Sequence, residues 1–157
     1  MILASSPLIF LSKIDKLSLL NRLFKTLIIP QEVVDETIIE GKEGYEEIKK
    51  IIEKKQITVV NPKEKIDFGL GNGENAAISL AKEKKDSLII DDARAIRLAK
   101  SLNIEYIRTI TIILNAVHKG LIKKEEAMQL INKLISAGYY ITPKIYSEIM
   151  QVLNQSK

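Results

Sequence analysis

The stretch from Gly71 to Ala99, GNGENAAISLAKEKKDSLIIDDARAIRLA, restricts the fold more than any other part of this 157-residue chain. Gly71-Asn72-Gly73 is a turn signal, and Glu74 opens a helical pattern. Ala76, Ala77, Leu80 and Ala81 recur on one helical face, and the charged run Lys82-Glu83-Lys84-Lys85-Asp86 closes it. Leu88-Ile89-Ile90 is a short continuous apolar run, the pattern of a strand covered on both faces. It stops at Asp91-Asp92, and Ala93 to Leu102 reads as helix again. A buried strand between two helices, with carboxylates at its exit, is a unit of a doubly wound α/β sheet. In such sheets the working site lies outside the carboxyl ends of the strands.

The rest of the chain repeats the alternation. Ile2-Leu3-Ala4 is a minimal first strand, after which Ser6 as N-cap and Pro7 at the first helical position begin a helix reaching Lys13. A second helix runs from about Leu17 to Phe24. Thr26 to Ile29 is a strand stopped by Pro30, and a helix follows with Val33, Val34, Thr37 and Ile38 on one face and Glu36 on the other, near its start. Gly41 to Gly44 is a break. Tyr45 to Lys55 form a helix, Ile57 to Val60 a third strand, and Asn61 to Gly71 the one long irregular segment. Glu105-Tyr106-Ile107 is a fifth strand, and Thr109 caps a helix that ends at Gly120. Lys123 to Ala137 is strongly amphipathic, with Ala127, Leu130, Ile131, Leu134 and Ile135 inward. Gly138 stops it, and Pro143 starts a last helix. Short strands alternating with helices predict a three-layer α/β fold, a parallel sheet of about five strands flanked by helices. We expect one domain over 1–157, with 121–157 as a C-terminal helical extension packed on it.

Composition narrows the chemistry. The chain has no cysteine and one histidine, His118, so thiol catalysis, thiolate metal sites and a histidine triad are excluded or disfavoured. Aromatic residues are 5% of the chain, which leaves Ile, Leu, Val and Ala to fill the core. A net charge of +4 permits contact with nucleic acid without requiring it. No apolar run approaches the roughly 18 residues of a membrane span, and Met1-Ile2-Leu3-Ala4 lacks a basic leader. The expectation is a soluble cytoplasmic protein. Gly69 to Gly73 is neither a dinucleotide fingerprint nor a P-loop, because the spacing and the Lys-Ser/Thr pair are missing.

Several segments together resemble the PIN-domain family, in its compact archaeal and bacterial branch. They are Ser6-Pro7-Leu8-Ile9, Ile29 to Glu36 (IPQEVVDE), Gly73 to Ile78 (GENAAI), Leu88 to Arg94 (LIIDDAR), Thr109, and the Gly138-Tyr139-Tyr140 tail. Their order and their placement at strand ends carry the resemblance. It implies a small parallel sheet with carboxylates around one or two Mg²⁺ or Mn²⁺ ions, and hydrolysis of RNA phosphodiester bonds. Oxygen ligands suit such hard cations. A metal pair about 3.5–4 Å apart can activate water and steady the leaving oxygen without a histidine base. By the resemblance, Glu36, Glu74 and Asp92 match the acidic positions, and Asp91 is either a ligand or a group that orients one. Ser6 and Thr109 match hydroxyl positions beside the site. Arg94 and Arg97 are candidates for phosphate contacts.

Where the family carries an acid at the end of the first strand, this chain has Ala4. Two readings therefore stand side by side. One is an endoribonuclease, with the toxin of a toxin–antitoxin pair as one such role, RNA as substrate and an antitoxin protein or a second copy of the chain as partner. The other is a catalytically impaired module that binds RNA or protein. A receiver domain would need an acidic pair after the first strand, which Ala4-Ser5 does not supply. Simpler roles compete for individual residues. Glu36 and Glu74 suit a helix dipole, one of Asp91 and Asp92 suits an N-cap, and His118 suits a helix C-terminus. Tyr139 and Tyr140 fit core packing as well as base stacking, and the lysine clusters fit solvated faces.

Overall fold

A computed structural model describes residues 1–155. Five parallel strands form one sheet in the order β3-β2-β1-β4-β5. They are β1 (Ile2–Leu3), β2 (Ile28–Ile29), β3 (Thr58–Val59), β4 (Leu88–Ile89) and β5 (Tyr106–Ile107). β1 is the centre of the sheet: Ile2 lies opposite Ile28 on one side and Leu88 on the other. Each strand has only two residues, but amides just beyond them extend the pairing, Ala4 N–H to Ile89 O at 3.0 Å and Ile90 N–H to Ile107 O at 3.0 Å. The order reverses between β1 and β4, which opens a crevice at the carboxyl edge between them.

Among the described residues the helices are α1 (Ser5–Lys13), α2 (Ser18–Leu23), α3 (Gln31–Thr37), α4 (Tyr45–Glu53), α5 (Asn72–Lys84), α6 (Ala93–Ser101), α7 (Thr109–His118), α8 (Lys124–Ser136) and α9 (Pro143–Gln155). Two apolar clusters flank the sheet, because buried strands must be covered on both faces. The smaller joins Ile2, Ala4, Leu88 and Ile90 to Ala77, Ile78, Leu80 and Ala81 of α5 and Ala95 and Ala99 of α6. The larger joins Leu3, Ile29 and Ile89 to α1, α2, α3, α7 and, through Ala127, Leu130, Ile131, Leu134, Ile149 and Leu153, to α8 and α9. Residues beyond 121 thus share the main core. No described helix is long and apolar enough to cross a membrane.

Two helix starts and the place of Glu36 differ from the sequence reading. α1 begins at Ser5 with Ala4 in the capping position, so Ser6 lies inside the helix rather than capping it, and the Ser5 hydroxyl donates to Glu36. α7 is preceded by Arg108, and Thr109 is its first residue, its hydroxyl turned to Asp91. Glu36 is near the end of the short α3, not its start. Ile135 is 39% exposed, so the apolar face of α8 is narrower than its sequence pattern suggests. The irregular run before α5 is stapled down by side chains: Asn75 Oδ1 accepts from Phe68 N at 3.1 Å, and Ser79 Oγ accepts from Ile66 N at 2.9 Å.

Candidate active site

The carboxylates sit at the carboxyl edge of the sheet, on segments that leave different strands. Glu36 is delivered by α3, which follows β2. The Ser5 hydroxyl donates to its Oε2, and the Gly73 amide donates to its Oε1 at 2.7 Å. Gly73 is required for this approach. A Cβ there would lie 2.2 Å from Glu36 Oε2 and 2.8 Å from Ser5 Oγ. Glu74, the next residue, is in the first turn of α5. Burial raises its pKa above the usual carboxylate value, and the negative charges of Glu36 and Asp92 raise it further. Three acids from three segments therefore share one field, and Glu74 is where the repulsion registers.

Asp92 and Asp91 divide their work. Asp92 is the N-cap of α6, its Oδ1 accepting from Ala95 N at 2.8 Å. Asp91 faces the other way. Its Oδ1 accepts from Thr109 N at 2.9 Å and from the Tyr139 hydroxyl at 2.7 Å, and its Oδ2 accepts from the Thr109 hydroxyl at 2.6 Å. With both oxygens engaged, Asp91 ties the end of β4 to α7 and to the connector after α8. Thr109 is fully buried, so its hydroxyl serves that tie. Burial, followed by the Asp91 charge, raises the Tyr139 pKa far above the ordinary tyrosine value, so Tyr139 is a fixed donor.

A groove of about 580 Å³ opens beside these acids. Ser6, Glu74, Asp91 and Asp92 line one part of it, and Ala93, Ile96 and Lys100 form a stripe along α6. Tyr106 and Arg108 border it at β5, and Tyr139 to Thr142 with Ile145 border it at the C-terminal connector. Glu36 is not part of this wall. Neither are Arg94 and Arg97, which lie on another face of α6; Arg94 Nη2 donates to Gly69 O at 2.8 Å and braces the loop before α5. The basic groups that do reach the groove, Lys100 and Arg108, were not singled out in the sequence. Their signal is spacing alone: Lys100 follows Ile96 by one turn, and Arg108 directly precedes the helix-opening Thr109.

The donors near Glu74 are carboxylate and hydroxyl oxygens, which suit a hard divalent cation. Repulsion among Glu36, Glu74 and Asp92 is a physical reason for such a cation to be favoured there. As the side chains stand, Glu36 is held by Ser5 and Gly73, and no three acidic or histidine side chains among the described residues are gathered as a metal-ligand group. Ala4 is 1% exposed, packed in the smaller apolar cluster, and supplies no oxygen.

A family model described as a PIN domain matches residues 1–155. Among solved structures, a PilT N-terminus domain protein from the hyperthermophilic archaeon Sulfolobus solfataricus P2 is similar, with a TM-score of 0.53 and 22% identity. The match covers 74% of this chain and 94% of the archaeal one, and at that identity it speaks for the fold. No curated protein matches.

Proposed function

Because the chain belongs to the PIN-domain family, we propose that it is a divalent-metal-dependent endoribonuclease whose acidic site is Glu36, Glu74 and Asp92. The observation that carries this reading is the placement of Glu36, Glu74 and Asp92 at the carboxyl edge of the parallel sheet, where the Gly73 amide beside Glu74 holds Glu36 at 2.7 Å and Asp92 opens α6; the raised pKa of Glu74 agrees with it. Those three would hold Mg²⁺ or Mn²⁺, which supplies Lewis-acid activation of water and of the leaving oxygen. The chain's own part is to hold the acids in place. Ser5 and the Gly73 amide fix Glu36, and the Ala95 amide fixes Asp92. Asp91 positions the wall of the groove through Thr109 and Tyr139. The reading extends to a toxin restrained by an antitoxin protein, on the strength of the branch resemblance alone.

Mn²⁺ titration by calorimetry and by thermal melting, with a fluorescent single-stranded RNA assay, tests the reading. Wild type is expected to bind Mn²⁺, to melt higher with it because the ion binds only the folded state, and to cleave. Asp92→Asn is an informative variant, since asparagine caps a helix as well as aspartate does. It removes the charge and keeps the cap, so without metal it is expected to melt at or slightly above wild type through relieved repulsion with Glu74, and to lose Mn²⁺ binding and cleavage. Ala4 favours a second reading, a module that binds without cutting: the central strand ends in a buried methyl group where the family has an acid. RNA binding without Mn²⁺-dependent cleavage would select that reading, and neither binding nor cleavage would refute both.

A further inference from the structure

The connector between α8 and α9 presents an aromatic side chain in an unusual way. Tyr139 and Tyr140 are adjacent, and they differ completely in burial, 3% against 77% exposed. Tyr139 is locked: its hydroxyl donates to Asp91 at 2.7 Å, and its ring meets Phe10 edge to face at 5.0 Å. The Arg108 guanidinium lies 5.3 Å from the centre of the Tyr139 ring, and its Nη2 donates to the Tyr140 carbonyl at 3.2 Å. The backbone of Tyr140 is thus held on both sides while its own ring stands in water. Apolar burial would favour tucking that ring away. A pinned and exposed aromatic at the edge of a groove is instead a platform awaiting a flat partner.

The surroundings define that partner. Lys100 and Arg108 bring positive charge to the groove; Arg108 Nε is buried with no hydrogen-bond partner among the described residues and lies 3.9 Å from Asp91 Oδ1, in a loose ion pair. Ile96, Tyr106, Ile141 and Ile145 give the walls apolar area, and Glu74 and Asp92 line the same groove. Flat apolar surface with adjacent cations matches a nucleobase and its phosphates. The base face is available for stacking only where the strand is unpaired. Resting on the nuclease reading above, we infer that this groove is the track of single-stranded RNA, with Tyr140 stacking on one base and Lys100 and Arg108 meeting phosphates. The C-terminal connector then belongs to substrate recognition.

The test is fluorescence anisotropy with a short labelled oligouridine in chelator, where binding proceeds without cutting, followed by cleavage of the same oligomer in Mn²⁺. Tyr140→Ala is expected to weaken binding about 5- to 150-fold, the span of one base–aromatic stack. Tyr140→Phe should bind within about twofold of wild type, because the ring face is what stacks. An oligomer with abasic sites should bind wild type and Tyr140→Ala alike. Lys100→Gln should flatten the salt dependence by about 0.7 in log–log slope, one phosphate contact on a single strand. If Tyr140→Ala binds and cleaves as wild type does, the groove assignment is overturned and the nuclease reading stands. If Tyr140→Ala loses affinity while no variant cleaves, the groove stands and the nuclease reading falls. If wild type does not bind the oligomer, the inference is overturned outright.

Discussion

Replacing Gly73 by alanine sets two effects of opposite sign against each other. In an α-helix alanine is favoured over glycine by about 0.5–1 kcal/mol, and Gly73 is the second residue of α5. On propensity alone the variant should be more stable. The added Cβ, however, would stand 2.2 Å from Glu36 Oε2 and 2.8 Å from both Glu36 Cδ and Ser5 Oγ. Glu36 must leave, breaking its bonds from the Ser5 hydroxyl and from the Gly73 amide. Hydrogen bonds to a charged group contribute about 1.5–3 kcal/mol each. Glu36 is half-buried and regains water when displaced, so a combined loss near the low end, about 2–4 kcal/mol, is reasonable. The net is a destabilisation of about 1–3 kcal/mol, or a fall in Tm of about 2–12 °C for a chain of this size. Thermal melts in chelator read it. The decisive control places Gly73→Ala in a Ser5→Ala/Glu36→Ala background, where the atoms that the Cβ meets are gone. There the sign should reverse, with a gain of about 0.5–1 kcal/mol. A stabilised Gly73→Ala in the native background, or the same shift in both, would refute the claim that Gly73 exists to let Glu36 in.

Two further outcomes follow from the site. Glu74 has a raised folded pKa, so its contribution to stability is fully present below its ordinary carboxylate pKa and is lost as pH rises through the folded value. In chelator, Glu74→Gln should therefore melt with wild type well below the ordinary carboxylate pKa, at about pH 3.5, and above it at about pH 7.5; a gap that is constant with pH would count against the repulsion, and Mn²⁺ should narrow the gap because only wild type keeps the ligand. Ala4→Asp places a carboxylate in an apolar cluster beside Ala77 and Ala95; it should cost more than about 3 kcal/mol without metal, and Mn²⁺ should recover part of the loss, whereas a loss indifferent to Mn²⁺ would argue that no cation sits near the end of β1.

The fold was readable because its signals are one-dimensional. Leu88-Ile89-Ile90 is a short apolar run that stops at two aspartates, the length and flanks of a covered strand, and Ala76, Ala77, Leu80 and Ala81 share one face of a helix, which the structure buries. The site was readable in part. Strand ends are visible in sequence, so Glu74, Asp91 and Asp92 could be placed at one edge of the sheet, and Asp92 does cap α6. What those side chains hold was not visible, since it depends on residues far away in sequence. Asp91 is engaged by Thr109 and by Tyr139, 48 positions on. Ser6 drew attention because Ser-Pro is a local capping signal, yet Ser5 makes the contact with Glu36, 31 positions away. Arg94 and Arg97 are nearest the acids along the chain, but the helical turn gives the groove to Ile96 and Lys100.

The central place of the first strand bears on how the chain is made. Synthesis delivers β1 first, and β2 can pair with it once Ile28 has emerged. Its other edge has no partner until Leu88 arrives. Across that interval a growing chain carries an open edge in the middle of its future sheet, the kind of edge that recruits neighbouring nascent chains. Two-residue strands limit the hazard, because so short a ladder gives a stranger few amides to grasp. The order of synthesis also means that Asp91 waits for Thr109, and then for Tyr139, before both its oxygens are satisfied. The groove is completed late in the order of synthesis, because its wall needs Tyr139 to Thr142 and Ile145, which follow every strand of the sheet.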